Sequence, residues 1–110
     1  MQLGYARTST TEQMAGLEAQ VRDLQSAGCT KVFQEQTSSV AKREQLEAAI
    51  DYLREGDVLV VSKLDRLARS TFDLLTIEKR IKAKGAGLRI LAMNLDTTTA
   101  TGELLFQMVG

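Results

Sequence analysis

Four charged side chains follow an unbroken apolar run in the middle of the sequence. The run ends at Val61, and the charged residues after it are Lys63, Asp65, Arg66 and Arg69. Arginine presents a planar fork of N–H donors that pairs with two phosphate oxygens at once. The stretch therefore predicts an anion site suited to phosphate, although the same charges could form only a solvated basic loop.

A second candidate group lies near the N-terminus, where Arg7 and Ser9 follow a short apolar segment. A serine hydroxyl beside arginines could attack phosphorus and form a covalent phosphoserine, which conserves the bond for later rejoining. Fixed guanidinium groups could stabilise the charge that develops on the phosphate oxygens without a metal. Arg43 opens a predicted helix and could close over the same site. Ser9 fits a helix N-cap equally well, because Ser9 and Glu12 have capping-box spacing.

Composition limits the classes of function. The chain has 110 residues, of which 44% are hydrophobic and 25% charged, and this predicts one globular domain. It has no histidine and one cysteine, Cys29, which excludes histidine catalysis, a structural zinc site and an internal disulfide, and fits a cytoplasmic protein. No apolar segment approaches the roughly 18 residues of a membrane span. The net charge is zero, so we expect weak DNA binding by this chain alone.

Strand-like and helix-like segments alternate along the chain. The predicted strands cover residues 2–7, 31–34, 58–61 and 88–93. The predicted helices run from Ser9 or Thr10 to about residue 27, then over 43–54, 71–84 and 104–109, with loops at 35–42 and 94–100. This order predicts an α/β fold, a three-layer α-β-α arrangement with a mostly parallel central sheet. The loops after the first and third strands would then face one crevice.

Four segments resemble the serine recombinase family of resolvases and DNA invertases. They are Tyr5-Ala-Arg7-Thr-Ser9 with Gln13 and Leu17-Glu-Ala-Gln20; Lys42-Arg43-Glu44-Gln-Leu46; Val61-Ser-Lys63-Leu-Asp65-Arg66-Leu-Ala-Arg69-Ser70; and Thr101-Gly102-Glu-Leu104. The resemblance covers essentially the whole chain. It implies the catalytic domain of an enzyme that recombines double-stranded DNA site-specifically as a tetramer, through 5′-phosphoserine links that leave free 3′-hydroxyls.

The resemblance also implies a role for each matched residue, and it implies no cofactor and no metal. Ser9 would be the nucleophile, and Asp65 would orient the arginines and assist proton transfer to the leaving oxygen. Arg43 would join the site when the loop before it closes. The residues that would bind the scissile phosphate are Arg7, Arg43, Arg66 and Arg69. The residues with supporting roles would be Lys63, Gln13 and Gln20.

The sequence departs from the family pattern at three places. One is the stretch between Gln13 and Gln20, which is about two residues longer than in the shortest relatives and puts the role of Gln20 in question. Thr8 stands where the family commonly has valine, which has the same β-branched shape. Residues 1–110 also end early in the long helix that, in the family, forms the dimer interface and leads to a helix-turn-helix domain. We therefore expect the full-length protein to form a homodimer and a synaptic tetramer. We expect the 110 residues alone to fold, but neither to recombine DNA nor to bind its site tightly.

Two other functions remain open at this point. A metal-dependent nuclease or phosphatase on the same fold would need converging carboxylates, for which Asp65 and Asp96 are candidates. A non-catalytic DNA-associated regulatory or dimerisation module would need none of the catalytic residues, yet the sequence contains the whole set. Protein that stays covalently attached to DNA in EDTA would favour the recombinase over both.

Overall fold

The computed structural model describes residues 1–8, 14–36 and 43–109, and these form a sheet with helices on both faces. The strands are β1 (Gln2–Thr8), β2 (Lys31–Gln36), β3 (Val58–Val61), β4 (Gly87–Ile90) and β5 (Leu95–Asp96). Their order across the sheet is β2-β1-β3-β4-β5. The first four strands run parallel, and β5 pairs with β4 in the antiparallel direction.

Helices connect the parallel strands along the chain, and one more helix follows β5. They are α1 (Met14–Ser26), α2 (Glu44–Tyr52), α3 (Leu64–Leu67), α4 (Thr71–Ala83) and α5 (Ala100–Val109), with a 3-10 turn at Leu91–Met93. Within the described ranges, none of these helices combines the length and the apolar character needed to cross a membrane.

The two faces of the sheet bury separate hydrophobic cores. Successive strand residues point to opposite faces. Leu59 and Val61 of β3 belong to the larger core beneath α2 and α4, whereas Val60 belongs to the smaller core beneath α1. The predicted α/β fold, with three layers and a mostly parallel sheet, is therefore confirmed.

The register of β1 determines where the candidate site forms. Pairing between β1 and β3 ends at Tyr5 and Val61, but β1 continues beside β2 as far as Thr8. Arg7 therefore lies beyond the carboxyl end of β3, next to the segment that follows it. The end of β1 and the segment that follows β3 meet at this edge, where the Arg7 side chain donates to Asp65 O.

Several predicted element boundaries are wrong. Strand β2 includes Glu35, which lies in the predicted loop of 35–42, because pairing with β1 continues through Arg7. The basic loop after β3 contains the helical turn α3. The fourth strand ends at Ile90, and the chain then turns through Asn94, whose φ is 48°. This turn brings Leu95 back antiparallel to Ile90, within the predicted loop of 94–100.

Gly102 allows α5 to pack directly on the end of the sheet. A Cβ atom at this position would lie 1.7 Å from the carbonyl oxygen of Asp96, a distance that no side chain tolerates. The N–H of Gly102 also donates to the hydroxyl of Thr99, 2.9 Å away. Thr99 and Gly102 therefore fix the start of α5, which begins at Ala100 rather than at the predicted Leu104.

Candidate active site

Helix α3 is so short that carbonyl groups in it lack partners within the helix. Two arginines from distant elements donate to these carbonyls. Arg7, at the end of β1, donates from Nη2 to Asp65 O at 2.7 Å and from Nε to Arg66 O at 3.4 Å. Arg43, just before α2, donates from Nη1 to Leu67 O at 2.7 Å. Three elements that are far apart in sequence are thereby joined at one helical turn.

These contacts bring positively charged guanidinium groups close together, where they would repel one another without compensation. The carbonyl oxygens carry partial negative charge, which offsets part of the repulsion between neighbouring guanidinium groups. Arg66 lies within α3 and is half-buried, and Arg69 follows it and is exposed. The structure therefore brings Arg7, Arg43, Arg66 and Arg69 to one region, where an anion with several oxygens could be held bidentately.

Gln20 holds the main chain of Arg7 from above the sheet. Its Oε1 accepts from Arg7 N at 3.1 Å, and its Nε2 donates to Arg7 O at 2.9 Å. Gln20 is buried, and it takes the place of a neighbouring strand at a point beyond the last β1–β3 pair. The side chain predicted from the family pattern thus lies at the site and fixes its geometry.

Asp65 and Lys63 are both exposed, unlike the buried Arg7. Among the described residues no ion pair is formed by either side chain. Asp65 contacts Arg7 through its main-chain carbonyl, so the expected orienting contact does not involve the carboxylate. Asp65 also lines an open cavity of about 250 Å³ between α3 and the start of α4.

The predicted nucleophile and one supporting residue, Ser9 and Gln13, lie outside the described residues. Thr8 is the last described residue before them. It is fully buried, and its Oγ1 has no hydrogen-bond partner in the part of the chain that the structure describes. The end of β1 is therefore firmly packed immediately before Ser9, while the role of Ser9 stays a prediction.

Asp73 is a site residue that sequence reasoning missed. Its carboxylate faces the Arg43 guanidinium, with Nη2–Oδ1 at 3.0 Å and Nη1–Oδ2 at 2.9 Å. The same carboxylate accepts from Arg69 N at 3.1 Å, and Asp73 N donates to Ser70 Oγ at 3.1 Å. The Ser70-x-x-Asp73 spacing is a capping-box signal that could have indicated it.

The ionisation of this pair follows from its contacts. Burial raises the pKa of Asp73, but the hydrogen bonds from Arg43 and from the Arg69 N–H outweigh it and hold that pKa below its usual value. The hydrogen bond with Asp73 raises the pKa of Arg43 above its usual value, against a smaller opposing effect of burial. The pair is therefore fully charged near neutral pH.

The sequence also does not predict a contact between Glu35 and the start of α2, the helix that follows Arg43. The carboxylate of Glu35 accepts from the N–H groups of Gln45 at 3.3 Å and Leu46 at 3.2 Å, at the start of α2. Tyr5 donates its hydroxyl to the same carboxylate. Burial is the largest cause that raises the pKa of Tyr5. The hydrogen bond to Glu35 and the negative charge of Glu35 raise it further. No local sequence signal indicates this contact, because it joins two strands and a helix.

The carboxylate of Asp96 is poorly placed to bind a divalent cation. Asp96 lies on the edge strand β5, and its carboxylate accepts from Thr98 N at 2.9 Å and from the Thr98 hydroxyl. A search of the described residues finds no cluster of three or more His, Cys, Asp or Glu residues that could hold a metal ion. The nuclease alternative therefore gains no support from Asp96, whose carboxylate shapes a turn.

The contacts of Arg7 and Arg43 with α3 place these arginines at the carboxyl edge of a mostly parallel sheet in an α/β domain. The chain belongs to the resolvase family, because the family description "Resolvase, N terminal domain" matches residues 2–110. A curated relative, the integrase-like protein y4lS of Sinorhizobium fredii, is 44% identical over 98% of this chain and 59% of its own length. The DNA-invertase of Escherichia phage P1 is 38% identical over 100% of this chain and 59% of its own length. The chain thus spans less than two thirds of these relatives.

Solved structures support the fold. The N-terminal catalytic domain of TP901-1 integrase is similar with a TM-score of 0.80 and 23% identity, over 98% of this chain and 90% of that one. A serine recombinase from Sulfolobus solfataricus is similar with a TM-score of 0.68 and 26% identity, over 82% of this chain and 66% of that one. The likeness at 23% identity shows a shared fold only.

Proposed function

We propose that this chain is the catalytic domain of a serine site-specific DNA recombinase. Membership of the resolvase family supports the class, and relatives of this chain are named DNA-invertase and Transposon Tn552 resolvase. The observation that carries the proposal is the gathering of Arg7 and Arg43 on the carbonyls of α3, the helical turn that itself bears Arg66. Such an arrangement suits a phosphodiester that gains charge during attack.

In the proposed reaction, Ser9 Oγ forms a bond to phosphorus and the bond from phosphorus to the 3′ oxygen breaks. The serine proton leaves, the 3′ oxygen gains a proton, and the products are a 5′-phosphoserine and a 3′-hydroxyl. Rejoining reverses these steps, so the reaction consumes no cofactor. Arg7, Arg43, Arg66 and Arg69 stabilise the phosphate oxygens, and Asp65 assists proton transfer to the leaving oxygen.

The remaining predicted residues and partners belong to the same proposal. Lys63 and Gln13 support the site, and Gln20 fixes Arg7. The partner is double-stranded DNA in the cytoplasm, and the protein acts as a dimer that joins a second dimer in a synaptic tetramer. We propose that the 110 residues work within a longer protein, since the chain is neutral overall and spans 59% of its relatives. Alone, they should bind DNA weakly.

The test is covalent trapping in the longer protein that contains this chain. The protein and its Ser9→Ala variant are incubated in EDTA with a recombination site that carries a central nick, and are then denatured. We expect the unmodified protein to stay attached to a 5′ DNA end and the variant to release it. Ser26→Ala, at an exposed serine near the end of α1, is the matched control and should form the adduct normally.

The alternatives give different results in this assay. A metal-dependent nuclease would cut without an adduct and would lose activity in EDTA. A binding module would retain the DNA but produce neither cut nor adduct. If the unmodified protein binds the site and forms no adduct, the recombinase proposal is wrong and Ser9 is best explained as a helix cap.

A further inference from the structure

The guanidinium of Arg43 contacts three oxygens, and the two from Asp73 lie along one edge. Nη1 lies 2.7 Å from Leu67 O and 2.9 Å from Asp73 Oδ2, and Nη2 lies 3.0 Å from Asp73 Oδ1. A guanidinium group has five N–H donors and two edges that can each present a parallel pair. The contact with Asp73 uses the edge made by Nη1 and Nη2. The other edge, made by Nε and the second proton of Nη2, donates to none of the described residues.

Asp73 is itself fixed, so it can act as a rigid support. Its Oδ2 accepts the Arg69 N–H, and its own N–H is capped by Ser70 at the start of α4. The side chains of Asp73 and Arg43 are 14% and 12% exposed, so solvent screens the pair only partly. One carboxylate thereby ties the Arg43 side chain to the Arg69 main chain, across elements that are distant in sequence.

We propose that Asp73 is a positioning residue that presents the Nε/Nη2 edge of Arg43 to a DNA phosphate. The inference rests on the proposed function, since it supplies that reaction with an arginine whose orientation is set before DNA arrives. A guanidinium already held by two carboxylate oxygens and a carbonyl loses little rotational freedom when its free edge binds. Asp73 does not compete with the phosphate, because the two anions occupy different edges.

Electrostatics alone predicts the opposite outcome, and this makes the inference testable. Replacing Asp73 by a neutral residue removes a negative charge near the arginines, which by itself would strengthen phosphate binding. If Asp73 instead positions Arg43, its removal weakens the contact made by Arg43 while overall DNA affinity stays equal or rises. The two effects are separated by observing Arg43 directly rather than DNA affinity.

The experiment follows the Arg43 Nε–H resonance in the 15N-labelled 110-residue chain while a short DNA duplex of arbitrary sequence is added. In the unmodified chain we expect a resolved signal that shifts as the duplex binds. In Asp73→Asn we expect that shift to fall at least about twofold at the same duplex concentration, because an Arg43 side chain that Asp73 no longer orients contacts the duplex for less of the time. Glu47→Gln, which breaks the exposed pair between Glu47 and Arg80, is the matched control and should behave like the unmodified chain.

Asp73→Ser provides a second variant, because a serine hydroxyl can still accept from the Arg69 N–H but cannot pair with Arg43. An unchanged Arg43 shift in either variant, with backbone signals intact, would overturn the inference. So would the absence of any Arg43 shift in the unmodified chain. Unfolding of both variants would show that Asp73 serves the fold rather than Arg43. Formation of the Ser9 adduct is measured in a separate assay. The proposed function and this inference can therefore be refuted independently.

Discussion

Thr8 buries a hydroxyl that makes no hydrogen bond among the described residues. A buried unsatisfied hydroxyl costs roughly 1–3 kcal/mol, and valine has the same branched shape without that cost. We therefore expect Thr8→Val to raise the free energy of unfolding by about 1 kcal/mol, measured by urea denaturation. Thr8→Ser keeps the hydroxyl and removes the methyl group, so it should lower the same quantity. Stabilisation by serine and not by valine would contradict this account.

Gln20, in contrast, stabilises the fold, because both of its side-chain polar atoms form hydrogen bonds. Gln20→Ala removes the hydrogen bonds of Gln20 with the N–H and C=O of Arg7 at a buried position. We expect the free energy of unfolding to fall by about 1–3 kcal/mol. Gln25→Ala, at an exposed position of the same helix, is the control and should change it by less than about 0.5 kcal/mol. Equal effects of the two changes would show that helix propensity, rather than the contact with Arg7, is responsible.

At the scale of elements, Glu35 replaces a local cap at the start of α2. Arg43 occupies the N-cap position of that helix and makes no side-chain capping bond, so the carboxylate from β2 fulfils this task. We expect Glu35→Ala to lower the free energy of unfolding by about 1–2 kcal/mol, as loss of a cap does. Hydrogen exchange should accelerate at the amides of Gln45 and Leu46. Gln34→Ala, an exposed change on the same strand, should leave those amides protected.

The elements also show what a sequence can and cannot predict. The parallel sheet was predictable because apolar runs such as Val58–Val61 alternate with amphipathic helices. Strand β5 was not, because two residues are too few to show a period and their pairing depends on the turn at Asn94. The arginines could be proposed from their spacing. The contact of Asp73 with Arg43 and that of Glu35 with α2 could not be assigned, because both depend on how separate elements pack.

At the scale of the whole molecule, the buried groups predict a loss of stability at alkaline pH. Burial raises the pKa of Cys29 from 9.0 to about 11, and burial with the Glu35 contact raises that of Tyr5 above 10.0. Between its unfolded and folded pKa, each group holds its proton in the folded protein and loses it in the unfolded chain. These two groups therefore contribute fully to the free energy of unfolding below about pH 9. The free energy of unfolding falls as the pH rises further, because the unfolded state then binds fewer protons.

The size of this effect and its origin can both be measured. Each group contributes a slope of at most about 1.4 kcal/mol per pH unit, which is the energy of one unit of pKa. In urea denaturation between pH 8 and 12, Cys29→Ala should flatten the curve from about pH 9 to 11, and Tyr5→Phe should flatten it above pH 10. The comparison uses slopes, so a constant loss from the cavity or the missing hydroxyl does not affect it. Parallel curves for all three proteins would mean that these two groups do not control the alkaline limit. The fold would then be limited at high pH by surface pairs such as Lys82 with Glu103, whose contact raises the pKa of Lys82.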